Sequence, residues 1–167
     1  MKRYIAQGEQ AIGDHPDDLI TTILGSCVAV CLRDPVIALG GMNHILVPSG
    51  VTNDLSARGA GACAMETLIN SMLKRGAQKS RLEAKVFGGA SIIAGLSNVG
   101  IRNSEFVFHY LKIEGIPCLS QSVGGTMARQ VRFWPHSGSA RQRLVRAEEA
   151  PVVRPEVTFK ANDLELF

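Results

Sequence analysis

Six consecutive apolar residues, Cys27-Val28-Ala29-Val30-Cys31-Leu32, run up to Arg33-Asp34-Pro35, which stops them. Successive side chains of a strand point to opposite faces, so a stretch apolar at every position from Val28 to Leu32 belongs to a strand covered on both sides. Such a strand requires a sizeable core. The chain has 167 residues, 46% of them apolar and 20% charged, and a chain of this size buries roughly 70% of its unfolded surface, enough for one domain without disulfide or metal. The apolar run is far shorter than the roughly 18 residues of a membrane span.

Around this strand the punctuation is regular. Gly13-Asp14-His15-Pro16-Asp17-Asp18 is a turn between Ala11-Ile12 and a strand-like stretch from Leu19. A second strand is expected from Met42 to Val47, after Gly40-Gly41, close enough to the first to form a hairpin-like pair. Ser49 to Gly61 reads as a loop running into a helix. Met65, Leu68, Ile69, Met72 and Leu73 then recur at i, i+3, i+4, i+7 and i+8, one helix face, which Gly76 ends. Arg81 to Phe87 reads as a strand closed by Gly88-Gly89. Asn103 is placed to cap a helix from Ser104 to Glu114, with Phe106, Val107, Tyr110 and Leu111 inward. Gln130 to Trp134 and Arg141 to Arg146 form a hairpin about Pro135-His136-Ser137-Gly138. Strands and helices without steady alternation indicate α+β. Residues 147–167 are expected to be extended or mobile.

Composition excludes several classes. A net charge of +3 and 5% aromatics argue against a charge-driven nucleic-acid binder or a base-stacking platform. Residues 1–8 have no apolar signal region, so a cytoplasmic protein with reduced thiols is expected. Cys27 and Cys31 lack a second Cys/His pair at metal spacing, so no metal is expected, and Cys31, Cys63 and Cys118 read as core. Gly88-Gly89 and Gly124-Gly125 lack nucleotide-fingerprint spacing and read as turns or close backbone approaches. Arg129, Arg132, Arg141, Arg143, Arg146 and Arg154 read as a solvated basic face.

The residues with chemical promise are Leu24-Gly25-Ser26-Cys27, Thr21 and His44. A cysteine at the head of a strand can sit where backbone N–H groups converge, and these would stabilise a thiolate or a developing oxyanion. A histidine on the neighbouring strand could take its proton, given a third group to orient the ring. By spacing alone the bland alternative is the commoner one: a small buried thiol and a hydrogen-bonded core histidine.

Leu24-Gly25-Ser26-Cys27-Val28-Ala29-Val30-Cys31-Leu32-Arg33-Asp34-Pro35 followed by Gly40-Gly41-Met42-Asn43-His44-Ile45-Leu46-Val47-Pro48 resembles the CheD family of chemoreceptor glutamine deamidases. The likeness continues through Lys85-Val86-Phe87-Gly88-Gly89-Ala90, Gly100-Ile101-Arg102-Asn103 and Val123-Gly124-Gly125, over residues 1–146. It implies a single layered α+β domain with a β-sandwich-like core and flanking helices, similar to the catalytic domain of the cytotoxic necrotizing factors. It also implies Cys27 as nucleophile, His44 as general base and Thr21 as third member, with Thr22 adjacent and not separable from it by sequence. Gly25 and Ser26 would serve the oxyanion and substrate. Gln121-Ser122 stands where an acidic residue is common, and Ala128 replaces a usual glycine.

The implied activity is cofactor-free hydrolysis of receptor glutamine amides to glutamate and ammonia, with receptor methyl esters a further substrate in some members. Implied partners are chemoreceptor cytoplasmic domains, in receptor arrays, and in some members a CheC-type phosphatase; a non-catalytic module regulating that phosphatase is the rival expectation. A monomer is expected.

Overall fold

The computed structural model describes residues 1–47, 54–92 and 98–146. Among the described residues nine strands form two sheets. The first has the order β1 (Lys2–Tyr4), β3 (Leu19–Leu24), β8 (Ala128–Trp134), β9 (Ser139–Val145); the second has the order β2 (Gln10–Gly13), β5 (Leu39–Asn43), β4 (Val28–Asp34), β6 (Glu83–Gly88), β7 (Cys118–Val123). β1 pairs with β3, and β6 with β7, in parallel; the other pairings are antiparallel. Two helices, α1 (Asp54–Lys74) and α2 (Asn98–Ile113), cover the second sheet. The fold is a mixed α+β domain of two sheets and two helices.

β4 explains the layering. Its even residues Val28, Val30 and Leu32 pack toward the helices, among Met65, Leu68 and Met72 of α1 and Val107 and Leu111 of α2. Its odd residues Ala29 and Cys31 pack toward the first sheet, among Ile20, Leu24, Val131 and Phe133. Both faces are therefore dry, as the unbroken apolar run predicts. α1 buries Met65, Leu68, Ile69 and Met72, while Leu73 lies at the edge of the stripe. Its C-terminus closes as expected: Gly76 takes φ +96°, and the Ala77 N–H reaches back to the Met72 carbonyl at 3.1 Å.

Several expectations need correction. β5 ends at Asn43 rather than continuing to Val47. The Asn43 Oδ1 accepts the Val30 N–H at 3.0 Å, a bond that a regular ladder would give to the backbone, and beyond it only Ile45 bridges back to Val28. α2 starts at Asn98, so Asn103 lies inside the helix rather than capping it. β7 escapes a hydrophobic reading because Cys118-Leu119-Ser120-Gln121-Ser122-Val123 is a largely exposed edge strand. Cys63 and Cys118 are exposed, and among the three cysteines expected in the core only Cys31 is buried. α1 begins within the stretch read as a loop. Residues 147–167, including Arg154, lie outside the described residues.

The turn after β4 is fastened by Asp34, which is fully buried. It accepts the Val36 and Gln78 N–H groups at 3.0 Å each and the Arg81 Nη2 at 2.7 Å. Burial alone would raise its pKa, but the Arg81 bonds and the two backbone donors hold it below the usual carboxylate range. Asp34→Ala strands those donors and is expected to cost about 3 kcal/mol, read as a lowered urea midpoint with an unchanged slope. A midpoint unaltered by the substitution would show that this carboxylate does not secure the turn.

Candidate active site

Strand register sets Cys27 and His44 at the ends of neighbouring segments. Val28 pairs with Ile45 and Cys31 with Met42, so the residues opposite one another across β4 and the chain after β5 sum to a constant. Continuing that register sets His44 opposite Ala29, and Cys27 one step diagonal from His44 on the same face. Positions so related have Cα atoms roughly 7–8 Å apart, a span that an aromatic ring such as that of His44 can bridge. That face looks toward the first sheet: Ala29, Cys31 and Met42 lie in the core between the sheets, with Cys27 packed against it.

His44 sits where the β4–β5 ladder opens. Its N–H goes to the Glu9 carbonyl at 3.1 Å, and its carbonyl accepts the Gly8 N–H at 2.9 Å, so its backbone is held by the loop before β2. The imidazole is buried, and its Nδ1 lies 2.9 Å from the Thr22 Oγ1. The same hydroxyl donates to the Ile5 carbonyl at 2.7 Å. With its one proton on the Ile5 carbonyl, Oγ1 accepts from a protonated Nδ1; with that proton turned to Nδ1, the ring carries its hydrogen on Nε2. The first arrangement satisfies the Ile5 carbonyl and the hydroxyl together, and it leaves Nε2 with a free lone pair.

Geometry puts Thr22, rather than the expected Thr21, against the imidazole. Alternation along β3 sends Ile20, Thr22 and Leu24 into the core between the sheets and Thr21 to the opposite face. Thr21 Oγ1 donates to the Val131 carbonyl at 2.9 Å, a bond within its own sheet.

Cys27 is partly exposed, and its thiol faces the Gln7 Oε1 at 3.8 Å. Burial pushes the thiol up to about 11, and burial lowers His44 to about 4, the Ile5 carbonyl opposing the second shift. Both shifts disfavour charge, so the resting pair at neutral pH is thiol and neutral imidazole rather than thiolate and imidazolium.

The loop carrying Cys27 is braced by glycine turns. The Cys27 carbonyl accepts the Gly89 N–H at 2.8 Å, and the Gly25 carbonyl accepts the Ala90 N–H at 2.9 Å. Among the described residues no acceptor takes the Ser26 or Cys27 N–H, leaving two donors beside the thiol. A Cβ on Gly88, at φ +113°, would collide with the Cys27 carbonyl oxygen, so only glycine fits there. Gly124 N–H in turn bonds the Gly88 carbonyl at 2.9 Å, tying the second glycine pair to the first.

Two residues of the site escape the sequence reading. Arg129, grouped with a solvated basic face, is 4% exposed, and its guanidinium binds the carbonyls of Ser122 and Gly124 and the Ser122 hydroxyl. Among the described residues no carboxylate holds it, in keeping with Ser122 standing where an acidic residue is common. Asn103, read as a helix cap, bonds the Ser26 carbonyl. Its neighbours give the signal: Gly100, Asn103, Ser104, Val107 and Leu111 are one helical stripe, small and polar at its first turns. Beside the site a cavity of about 390 Å³ is lined by Gln7, Glu9, His44, Leu46, Cys63 and Thr67 among others. Among the described residues no three His, Cys, Asp or Glu side chains cluster to hold a metal ion, and no helix is long and apolar enough to cross a membrane.

Residues 52–144 match the family model described as CheD chemotactic sensory transduction. The chain is 50% identical over 175 residues to a protein of Caulobacter sp. (strain K31) named probable chemoreceptor glutamine deamidase CheD, covering 100% of this chain and 93% of that one. It is 51% identical over 174 residues to the protein of the same name from Agrobacterium fabrum, covering 98% and 95%. Among solved structures, the Bacillus licheniformis hypothetical protein YfiH matches with a TM-score of 0.47 and 17% identity, over 68% of this chain and 49% of that one.

The His44 environment predicts a pH signature. The folded-state pKa near 4 lies below the unfolded value of 6.5, so between them the unfolded chain binds more protons. The stability His44 contributes as a neutral ring is complete above pH 6.5 and is lost as pH falls toward 4, about 3 kcal/mol in all. Urea titrations of wild type and His44→Gln from pH 7 to pH 4 should show the wild type losing stability more steeply. Parallel curves would contradict the burial of a neutral imidazole.

Proposed function

Because this chain belongs to the CheD family, we propose that it is a chemoreceptor glutamine deamidase in which Cys27 is the nucleophile, His44 the general base and Thr22 the residue that orients the imidazole. The observation that carries the assignment is the Thr22 contact: Oγ1 lies 2.9 Å from His44 Nδ1 while it bonds the Ile5 carbonyl, the arrangement in which a protonated Nδ1 leaves Nε2 as the basic atom. The Gln7 carboxamide beside the thiol supports the reading, since a glutamine side-chain amide already fits against Sγ.

The neutral resting pair gives the order of proton transfers. As Sγ attacks the substrate amide carbon, its proton passes to His44 Nε2, so charge appears only when the bond forms. The oxygen that gains negative charge is received by the N–H groups of Ser26 and Cys27, on the loop whose Gly25 carbonyl is tied to Ala90. The imidazolium gives its proton to the leaving nitrogen, which departs as ammonia and leaves a thioester on Sγ. His44 then takes a proton from water, hydroxide adds to the thioester carbon, and the thiol regains its proton as glutamate is released. Nothing in this sequence draws on a cofactor. The same reading places the protein with receptor cytoplasmic domains and relates its sandwich to that of the cytotoxic necrotizing factors.

Incubation of a cognate receptor cytoplasmic fragment, followed by peptide mass spectrometry, tests the proposal. Wild type is expected to convert particular glutamines to glutamate, with Cys27→Ala and His44→Ala at background. Thr22→Val should lower turnover by on the order of 10²-fold, because the ring loses the acceptor that sets its tautomer, while Thr21→Val leaves turnover nearly unchanged. Folded wild type that converts no glutamine would overturn the enzyme reading in favour of a binding module, and equal loss in the two threonine variants would overturn the role of Thr22.

A further inference from the structure

Asn103 is 1% exposed and lies inside α2, yet its carboxamide reaches out of the helix at both ends. Nδ2 donates to the Ser26 carbonyl at 2.8 Å, and Oδ1 accepts the Val47 N–H at 3.0 Å. The amide orientation is dictated by its partners, since a carbonyl cannot donate and an N–H cannot accept. Ser26 is the residue before Cys27, and Val47 stands three residues after His44. One side chain thus joins the loop that carries the thiol to the segment that carries the base.

The helix is seated so that this span is fixed. A Cβ on Gly100 would collide with the Gly89 carbonyl oxygen, and Ser104 Oγ bonds the Gly100 carbonyl at 3.0 Å beside Gly89. The first turns of α2 therefore press on the same Gly88-Gly89 turn that receives the Cys27 carbonyl. β5 stops at Asn43, so among the described residues the chain just after His44 is held to its neighbours by the Val28–Ile45 bridge and the Asn103 bond.

We propose that Asn103 is a positioning residue for the deamidation reaction, its carboxamide setting the distance between the Cys27 thiol and the His44 imidazole through Ser26 and Val47. The inference depends on the roles of Cys27 and His44 proposed above. A displacement of about 1 Å between reacting groups costs on the order of 10²-fold in rate, so a slack span should lower kcat while substrate affinity stays as it was.

Asn103→Asp separates positioning from packing. The variant has the same shape, and when protonated it carries the same donor and acceptor. When ionised it turns a carboxylate oxygen on the Ser26 carbonyl and loses the bond. Its burial raises the pKa of the new carboxyl, so protonation is reached in the mildly acid range. The titratable groups on the two joined segments are Cys27 and His44, and those on its own helix are Arg102, Glu105, His109, Tyr110 and Lys112; all are shared with wild type, so they cancel in the ratio.

The test is kcat and KM on a receptor cytoplasmic fragment for wild type, Asn103→Asp and Asn103→Leu from pH 8 to pH 5, with thermal unfolding to establish folding. At pH 8 both variants should lose kcat by roughly 10- to 100-fold with KM little changed. As pH falls, the ratio of wild-type kcat to that of Asn103→Asp should shrink toward unity, while Asn103→Leu stays impaired throughout. A ratio constant with pH, or a folded Asn103→Leu with normal kcat, overturns the proposal. Iodoacetamide labelling of Cys27, resolved by peptide mass spectrometry, provides a readout without receptor. The same ratio shrinking with falling pH in thiol labelling supports the positioning role, and a constant ratio refutes it. Wild type that turns over no receptor refutes the deamidase reading alone, since the labelling ratio still decides the role of Asn103.

Discussion

Burial of β4 on both faces sets the order of layers and thereby the place of the site. With Val28, Val30 and Leu32 toward the helices and Ala29 and Cys31 toward the first sheet, the two helices must cover one side of this strand and the first sheet the other. Cys27 emerges at the head of β4, on the face directed between the sheets, so the thiol lies at the mouth of the sandwich. The histidine arrives there because the neighbouring chain keeps the β4 register through the Val28–Ile45 bridge after its own regular pairing has ended. The interruption at Asn43 frees the backbone of His44 to bond Gly8 and Glu9, which fixes the ring against the first sheet.

In the proposed mechanism three layers each supply one part of the chemistry. The second sheet contributes Cys27 and His44, the first contributes Thr22 across the dry interior, and α2 contributes Asn103 from behind. Burial disfavours charge on both the thiol and the imidazole, and in the proposed arrangement the ring proton sits on Nδ1. Storing the pair as neutral groups keeps a buried ion pair out of the core, where charge separation is costly. In the proposed mechanism charge develops only when substrate brings an amide to the thiol, and the N–H groups of Ser26 and Cys27 receive it.

Much of this is legible in the residues. The apolar β4 run predicts a strand covered twice, the Met65 to Met72 spacing predicts the face of α1, and the motif around Cys27 and His44 points to the residues proposed as nucleophile and base. The threonine is the instructive failure. Ile20 and Leu24 share a face with Thr22, but Leu19 and Ile23 make the other face of β3 apolar as well, so alternation alone cannot say which threonine looks inward. Pairing with β8 and the second sheet decides it, and that is long-range information. Asn103 misleads for a different reason: asparagine ahead of an apolar stripe is a capping signal, whereas here its carboxamide serves two distant backbone groups. Arg129 reads as one of a basic cluster until the Gly124 turn folds over it.

The central claim is that His44 is a neutral base with its proton on Nδ1, held there by Thr22. Long-range proton–nitrogen correlation spectra of protein labelled with nitrogen-15 histidine report the tautomer directly. A protonated Nδ1 and an unprotonated Nε2 at pH 7, persisting until the ring titrates near pH 4, is the predicted result. A ring protonated on Nε2, or an imidazolium at pH 7, would contradict the assignment of Thr22 as acceptor and of Nε2 as the basic atom.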